Sequence, residues 1–380
     1  MEFTFATAGR IVFGPGRFAD LPDLVSGFGA RVMIVAGGHA AALPGLDVLG
    51  SERVLVRTSG EPSIPQVAEA LEVAREFGPD VIVAVGGGSA IDTAKSVGIL
   101  SRNRGDIMDH IEVVGRGVPL EPASIPVIAC PTTSGAGAEV TANSPIVSPE
   151  HGVKASLRSP AMLPAIALVD PELTLSSPPA VTASSGFDAL TQCIEPYISV
   201  KANVLTDQFA AEGIRRAASG LRRAWTDGSD LAARTDMSIC SLFGGLSLAN
   251  AKLGAVHGLA APIGGMTGGA HGEICAAMLA GATRVNVETM TRRDPGNPAL
   301  ARCDRVAQLL TGRPDARAAD GVEWLSRIVA DLQVPGLAAL GLQRSQIDEA
   351  ADAAMRASSM KGNPIALNHD EVVEIIELSL

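Results

Sequence analysis

Val81-Ile82-Val83-Ala84-Val85-Gly86-Gly87-Gly88-Ser89-Ala90-Ile91-Asp92-Thr93-Ala94-Lys95 is the stretch that decides the fold. Its first five residues are apolar on both faces, as a strand of a covered parallel sheet should be. Three glycines then let the backbone pass close to a phosphate, and the free N–H groups of a helix starting near Ala90 point at that phosphate. Ser89 can donate to a phosphate oxygen or cap the helix. Asp92 falls in the first turns, where the helix dipole favours it with or without a ligand. A tight strand-to-helix turn needs the same glycines, and they do not form G-x-G-x-x-G. The block from Gly86 to Lys95 as a whole is far more specific than its glycines alone.

Outward from this block the same grammar repeats. Arg31–Ala36, Arg53–Arg57, Val127–Cys130 and Ile166–Val169 are further β-branched runs, read as apolar on both faces. Between them, Val67, Ala70, Leu71, Ala74 and Phe77 recur at helical spacing, and Gly78-Pro79 ends that helix. Strands alternating with helices predict an α/β sheet covered on both sides. The run Val127–Cys130 leads into Pro131-Thr132-Thr133-Ser134-Gly135-Ala136-Gly137-Ala138-Glu139-Val140-Thr141, hydroxyls and glycines ahead of an expected helix start. Two polar loops at neighbouring strand ends suit a pyrophosphate and a ribose in one crevice. From Pro179 the strand signals vanish. Helical patterns run over 181–198, 203–223, 230–250, 271–287, 298–311, 316–332, 345–359 and 368–379. The expected division is an α/β domain over 1–180 and a helical domain over 181–380, with the boundary in a Ser/Pro turn cluster.

Composition narrows the class. Hydrophobic residues make up 47% of the 380, so a globular protein is expected, and aromatics are only 3%, so Ala, Val, Leu and Ile must build the core. A net charge of -11 argues against nucleic acid and anionic membrane as partners, though not against a small anionic substrate. Cys130, Cys193, Cys240, Cys275 and Cys303 show no C-x-x-C spacing and read as scattered, reduced core thiols. The N-terminus lacks a signal-peptide pattern, and no run approaches the roughly 20 apolar residues of a membrane helix. A cytoplasmic protein is expected.

Further segments agree in order with one family. They are Lys154 with Ser159–Pro164, Leu168–Thr174, Asp188–Thr191 and the tail Met360-Lys361-Gly362-Asn363-Pro364. With the two loops, the chain resembles the iron-containing (group III) alcohol dehydrogenases over nearly its whole length. The resemblance implies an N-terminal dinucleotide-binding domain and a C-terminal all-helical domain, with cofactor and metal held in a cleft. It implies an NAD(P)-dependent oxidoreductase acting on the CH–OH group of a small alcohol or the matching aldehyde or oxo-acid, with a homodimer as the assembly considered. Gly86, Gly87, Gly88, Ser89, Asp92, Thr132, Thr133 and Lys154 would line the cofactor site. After the strand Arg31–Ala36 come Gly37 and Gly38. Many NAD-preferring relatives carry Asp near here, to bind the ribose 2′-hydroxyl. No acid stands at 36–42, so NADP is slightly favoured and NAD is also accommodated; an ordinary glycine turn is the plainer reading.

Family members usually hold one divalent metal, iron or zinc, through an Asp and three His. The corresponding positions here are Asp188, Gln192, His257 and His271. The first two stand at i and i+4 on one helix face, and a Gly-rich loop over 258–270 joins the histidines. Gln192 departs from the pattern and leaves three readings. It ligates through its amide oxygen, it hydrogen-bonds a metal-bound water beside a three-ligand site, or the site is weak or empty. Ala261 departs too, replacing a His that many members place near the nicotinamide. A proton path would then fall to Lys154 or to groups at the metal, and Asp188, His257, His271 and Lys154 form the catalytic set. Phe243, His369 and the loop 262–270 are substrate-side candidates, with core packing the better reading for Phe243 and a solvated helix cap for His369. The departures keep open a metal-independent reductase resembling maleylacetate reductases. A lyase resembling 3-dehydroquinate synthase and a non-catalytic binding protein are the remaining alternatives.

Overall fold

The computed structural model describes residues 2–380. The chain forms two compact units, one of residues 6–133 and 137–176, the other of residues up to Phe5, 134–136 and 177–380.

The first unit is built on strands β1 (Arg10–Phe13), β2 (Arg31–Gly37), β3 (Glu52–Thr58), β4 (Val81–Gly86), β5 (Val127–Pro131) and β8 (Ile166–Val169). They form one parallel sheet in the order β1-β8-β5-β4-β2-β3. Every residue of β4 is buried, as its unbroken apolar run requires. The edge strand β3 instead alternates between exposed and half-buried residues, so its apolar reading on both faces does not hold. One face packs Val32, Ile34, Val81, Val83, Val85, Ile128 and Cys130 against helix α1 (Leu21–Ser26). Helix α2 (Ile64–Phe77) starts on a capping box, Ser63 with Gln66, and stops at left-handed Gly78. Helix α3 (Gly88–Leu100) is buried from Ala90 onward. A single turn, α4 (Ile107–His110), and an antiparallel hairpin of β6 (Asn143–Ser148) and β7 (Val153–Arg158) complete the unit. The hairpin and β1 are not evident in the sequence.

The second unit is helical: α5 (Pro179–Ile198), α6 (Val204–Thr226), α7 (Leu231–Ala251), α8 (Ala255–Thr267), α9 (His271–Arg293), α10 (Ala299–Thr311), α11 (Ala318–Asp331), α12 (Ile347–Arg356) and α13 (His369–Glu377). Its core is made of Ala, Leu, Ile, Val, Met and Cys around Phe187. The Gly-rich loop expected over 258–270 is not a loop. Most of it is α8, with Pro262 inside the helix, and only Gly268, Gly269 and Ala270 separate it from α9. No single helix among the described residues is long and apolar enough to cross a membrane.

Candidate active site

In the parallel sheet, the predicted loops meet at the C-terminal ends of β2, β4 and β5. Gly86 pairs with Pro131 across β4 and β5, and the Thr132 N–H donates to the Gly86 carbonyl at 2.9 Å. Gly86 has φ +158°, and a Cβ there would stand 2.7 Å from that of Ala90 and 3.2 Å from the Gly37 nitrogen. Only glycine admits this approach of two strand ends. A Cβ on Gly87 would stand 3.2 Å from Thr133 Oγ1, so the two loops are neighbours. Gly37 ends β2, and Gly38 turns away with φ +28° into open space. Gly37, Gly86, Gly87, Thr132 and Thr133 thus gather at one rim, where the N-terminus of α3 exposes its amides.

Three details differ from expectation. The helix starts at Gly88, so Ser89 lies inside its first turn and makes no cap; Gly87 is the N-cap residue. No long helix follows the second loop, because Gly137 at φ +60° leads into a single turn over Ala138–Val140. Asp92 points inward rather than to solvent, with the fully buried Lys95 ammonium 2.8 Å from its Oδ1. Lys95 Nζ also donates to Ala138 O at 3.0 Å and Thr141 Oγ1 at 3.1 Å, which ties α3 to the turn after the second loop. Burial raises the Asp92 carboxyl above its ordinary value although Lys95 works the other way. Lys154 stands on β7, its Nζ 2.9 Å from Glu61 Oε1.

In the helical unit, Asp188 and Gln192 lie one turn apart on α5. Asp188 is mid-helix, in the helix expected over 181–198. His257 is the third residue of α8 and His271 the first of α9. His257 Nε2 stands 3.3 Å from Asp188 Oδ1, and His271 Nε2 stands 3.8 Å from the same oxygen. One donor atom each from Asp188, His257, His271 and Cys275 lies within 4.8 Å of all the others. Behind this group, Glu195 orients the His257 ring. Its Oε2 accepts from His257 Nδ1 at 2.7 Å, and its Oε1 accepts from the Val256 N–H at 2.7 Å. With Nδ1 held as the donor, Nε2 is left facing the cluster.

Glycine at 254 makes room for this arrangement, since a Cβ there would stand 3.0 Å from Glu195 Oε1 and 2.9 Å from Asn363 Oδ1. Asn363 accepts from the Ala255 N–H at 3.1 Å and is itself fixed by Asn286, whose Oδ1 accepts from the Asn363 amide at 2.7 Å. Burial opposes charge on His257, but the Glu195 and Asp188 carboxylates override it and push the imidazole up to about 9. Burial also opposes charge on Asp188, yet the His257 hydrogen bond and the nearby His271 hold it below the usual carboxylate range. Two acids and two histidines so arranged draw positive charge, and a divalent cation would supply it. The Gln192 side chain hydrogen-bonds Asp188, while its buried Oε1 has no hydrogen-bond partner and lies 3.4 Å from where a Cβ on Gly244 of α7 would stand. Phe243 packs edge-on against Phe209, with ring centroids 5.2 Å apart, and His369 follows the Asn368 cap of α13 beside Asp352. Neither belongs to the cluster.

Residues 8–171 match the model of the iron-containing alcohol dehydrogenases, and residues 182–380 match that of the Fe-containing alcohol dehydrogenase C-terminal region. The chain belongs to the iron-containing alcohol dehydrogenase family. It is 33% identical to choline dehydrogenase of Bacillus subtilis over 88% of this chain and 82% of that one. It is 32% identical to 4-hydroxybutyrate dehydrogenase of Cupriavidus necator over 94% of this chain and 92% of that one. The crystal structure of a 1,3-propanediol oxidoreductase superposes with a TM-score of 0.91 at 28% identity, covering 100% of both chains. Members of the family are oxidoreductases that act on alcohols with NAD(P) and iron. Among the readings weighed from the sequence, membership selects the oxidoreductase. Glu195, Cys275 and Asn363 escaped the sequence reading as site residues. Their signals were a seven-residue spacing from Asp188, a four-residue spacing from His271 and the tail motif.

Proposed function

We propose that this dehydrogenase interconverts a small alcohol and its aldehyde or oxo-acid, with the dinucleotide on the strand-end loops and a divalent cation at Asp188, His257 and His271. The observation that carries the reading is the convergence of those three side chains with Glu195 behind His257. A bound cation there would polarise a C–O bond and lower an alcohol's pKa. Gly86, Gly87, Gly88, Ser89, Thr132 and Thr133 bind and orient the dinucleotide through backbone amides and hydroxyls. Asp92 acts from beneath, by fixing Lys95 and so the turn at Ala138, and Lys154 is the lysine offered as a proton carrier. The absence of an acid at 36–42 and the open space at Gly38 favour NADP, with NAD also accepted. The reading extends to a homodimer in the cytoplasm with no nucleic-acid partner, in keeping with the net charge of -11.

The test follows reduced-nicotinamide absorbance with primary alcohols, aldehydes and 2-oxo acids, using both dinucleotides, before and after chelation. Chelation should abolish turnover and iron or zinc should restore it. Asp188→Asn should lower kcat by roughly a hundred-fold or more, with the dinucleotide KM little changed. Full activity of a metal-free preparation would overturn the metal reading in favour of a metal-independent reductase.

A further inference from the structure

The family name points to iron, yet one donor in the cluster is a sulfur. Cys275 is fully buried on α9, one turn after His271, so both side chains share a helix face. Its Sγ stands 3.7 Å from His271 Nε2. Two donors on one tetrahedral ion, each about 2.0–2.3 Å from it, stand roughly 3.3–3.7 Å apart. The separations of 3.3 Å for Asp188 and His257, 3.8 Å for Asp188 and His271, and 3.7 Å for His271 and Cys275 are near that range. Gln192, the alternative fourth donor, hydrogen-bonds Asp188 and offers only a neutral amide oxygen, which lies 3.4 Å from where a Cβ on Gly244 would stand.

We infer that Cys275 is the fourth metal ligand, and that the set of Asp188, His257, His271 and Cys275 selects zinc over iron, with Gln192 positioning Asp188. This rests on the proposed metal reading above. A thiolate is a soft donor that suits zinc, whereas an amide oxygen is a weak donor for either metal. Binding replaces the Cys275 S–H bond by an S–metal bond and releases the proton to solvent, with no change of oxidation state.

The test uses cobalt(II) as the probe, titrated into the metal-free full chain without oxygen. One equivalent should bind with the near-ultraviolet thiolate-to-cobalt charge-transfer band. Cys275→Ser should lose the band, Gln192→Ala should keep it, and zinc affinity measured against a chromophoric chelator should fall about ten-fold or more in Cys275→Ser. Circular dichroism of the metal-free variants checks their folding, and absence of the band in the wild type overturns the thiolate ligand even if a variant fails to fold. Bound cobalt without the band, or a band that survives in Cys275→Ser, overturns the thiolate ligand and leaves the metal reading standing. No cobalt binding, or binding indifferent to Asp188→Asn, overturns both.

Discussion

Burial raises the Glu139 carboxyl from 4.5 to about 7, with Lys95 relieving part of the cost and Asp92 adding to it. The folded state therefore holds this proton more tightly than the unfolded chain does. Its contribution to stability is fully present below about pH 4.5 and is lost as the pH rises through about 7. The shift corresponds to on the order of 3 kcal/mol. Glu139→Gln keeps the shape and removes the charge. At about pH 8 the variant should be more stable than wild type by on the order of 1–3 kcal/mol in urea unfolding, with the advantage gone near pH 4. Parallel pH profiles for the two proteins would sink this account. Lys95 belongs to the same buried group, and its three bonds to Ala138 and Thr141 show why a cation is kept there.

The start of α8 is the element on which the histidine cluster turns. Its first two amides are taken by Asn363 and Glu195, and its third residue is His257. Asn363→Ala leaves the Ala255 N–H and the Asn286 amide without this acceptor in a buried place. It should cost about 1–3 kcal/mol in urea unfolding and weaken metal binding measured by competition; unchanged values for both would refute the role given to Asn363. The sequence made β2, β4, β5, α2 and most later helices legible, because each carries a long apolar run or a periodic one. It hid α8, whose Gly258, Pro262, Gly264 and Gly265 oppose helix by propensity. Tertiary packing outweighs that: a Cβ on Gly258 would stand 2.7 Å from Met360 Cγ, so glycine there serves close contact rather than a loop. Asp188, His257 and His271 were legible through their family positions. Cys275 was not, because any thiol four residues from a histidine in a buried helix looks the same in sequence.

Taken as a whole, the chain divides its proposed ligands between its two units. Hydrogen exchange should report this: a divalent cation should slow exchange in α5, α8 and α9, and NAD(P) should slow it at the β4–α3 turn and after β5. Cation protection confined to the parallel-sheet unit would contradict the assignment. The contact of Asn363 with the start of α8 also orders events in time. Asp188, His257 and His271 all precede residue 363 in the chain, so a nascent polypeptide carries its histidines well before it carries the group that fixes them. During synthesis the support that Asn363 gives to the start of α8 would arrive only once the segment around it has been made and has packed. Loading of the cation proposed at Asp188, His257 and His271 would thereby be a late event in the life of the chain.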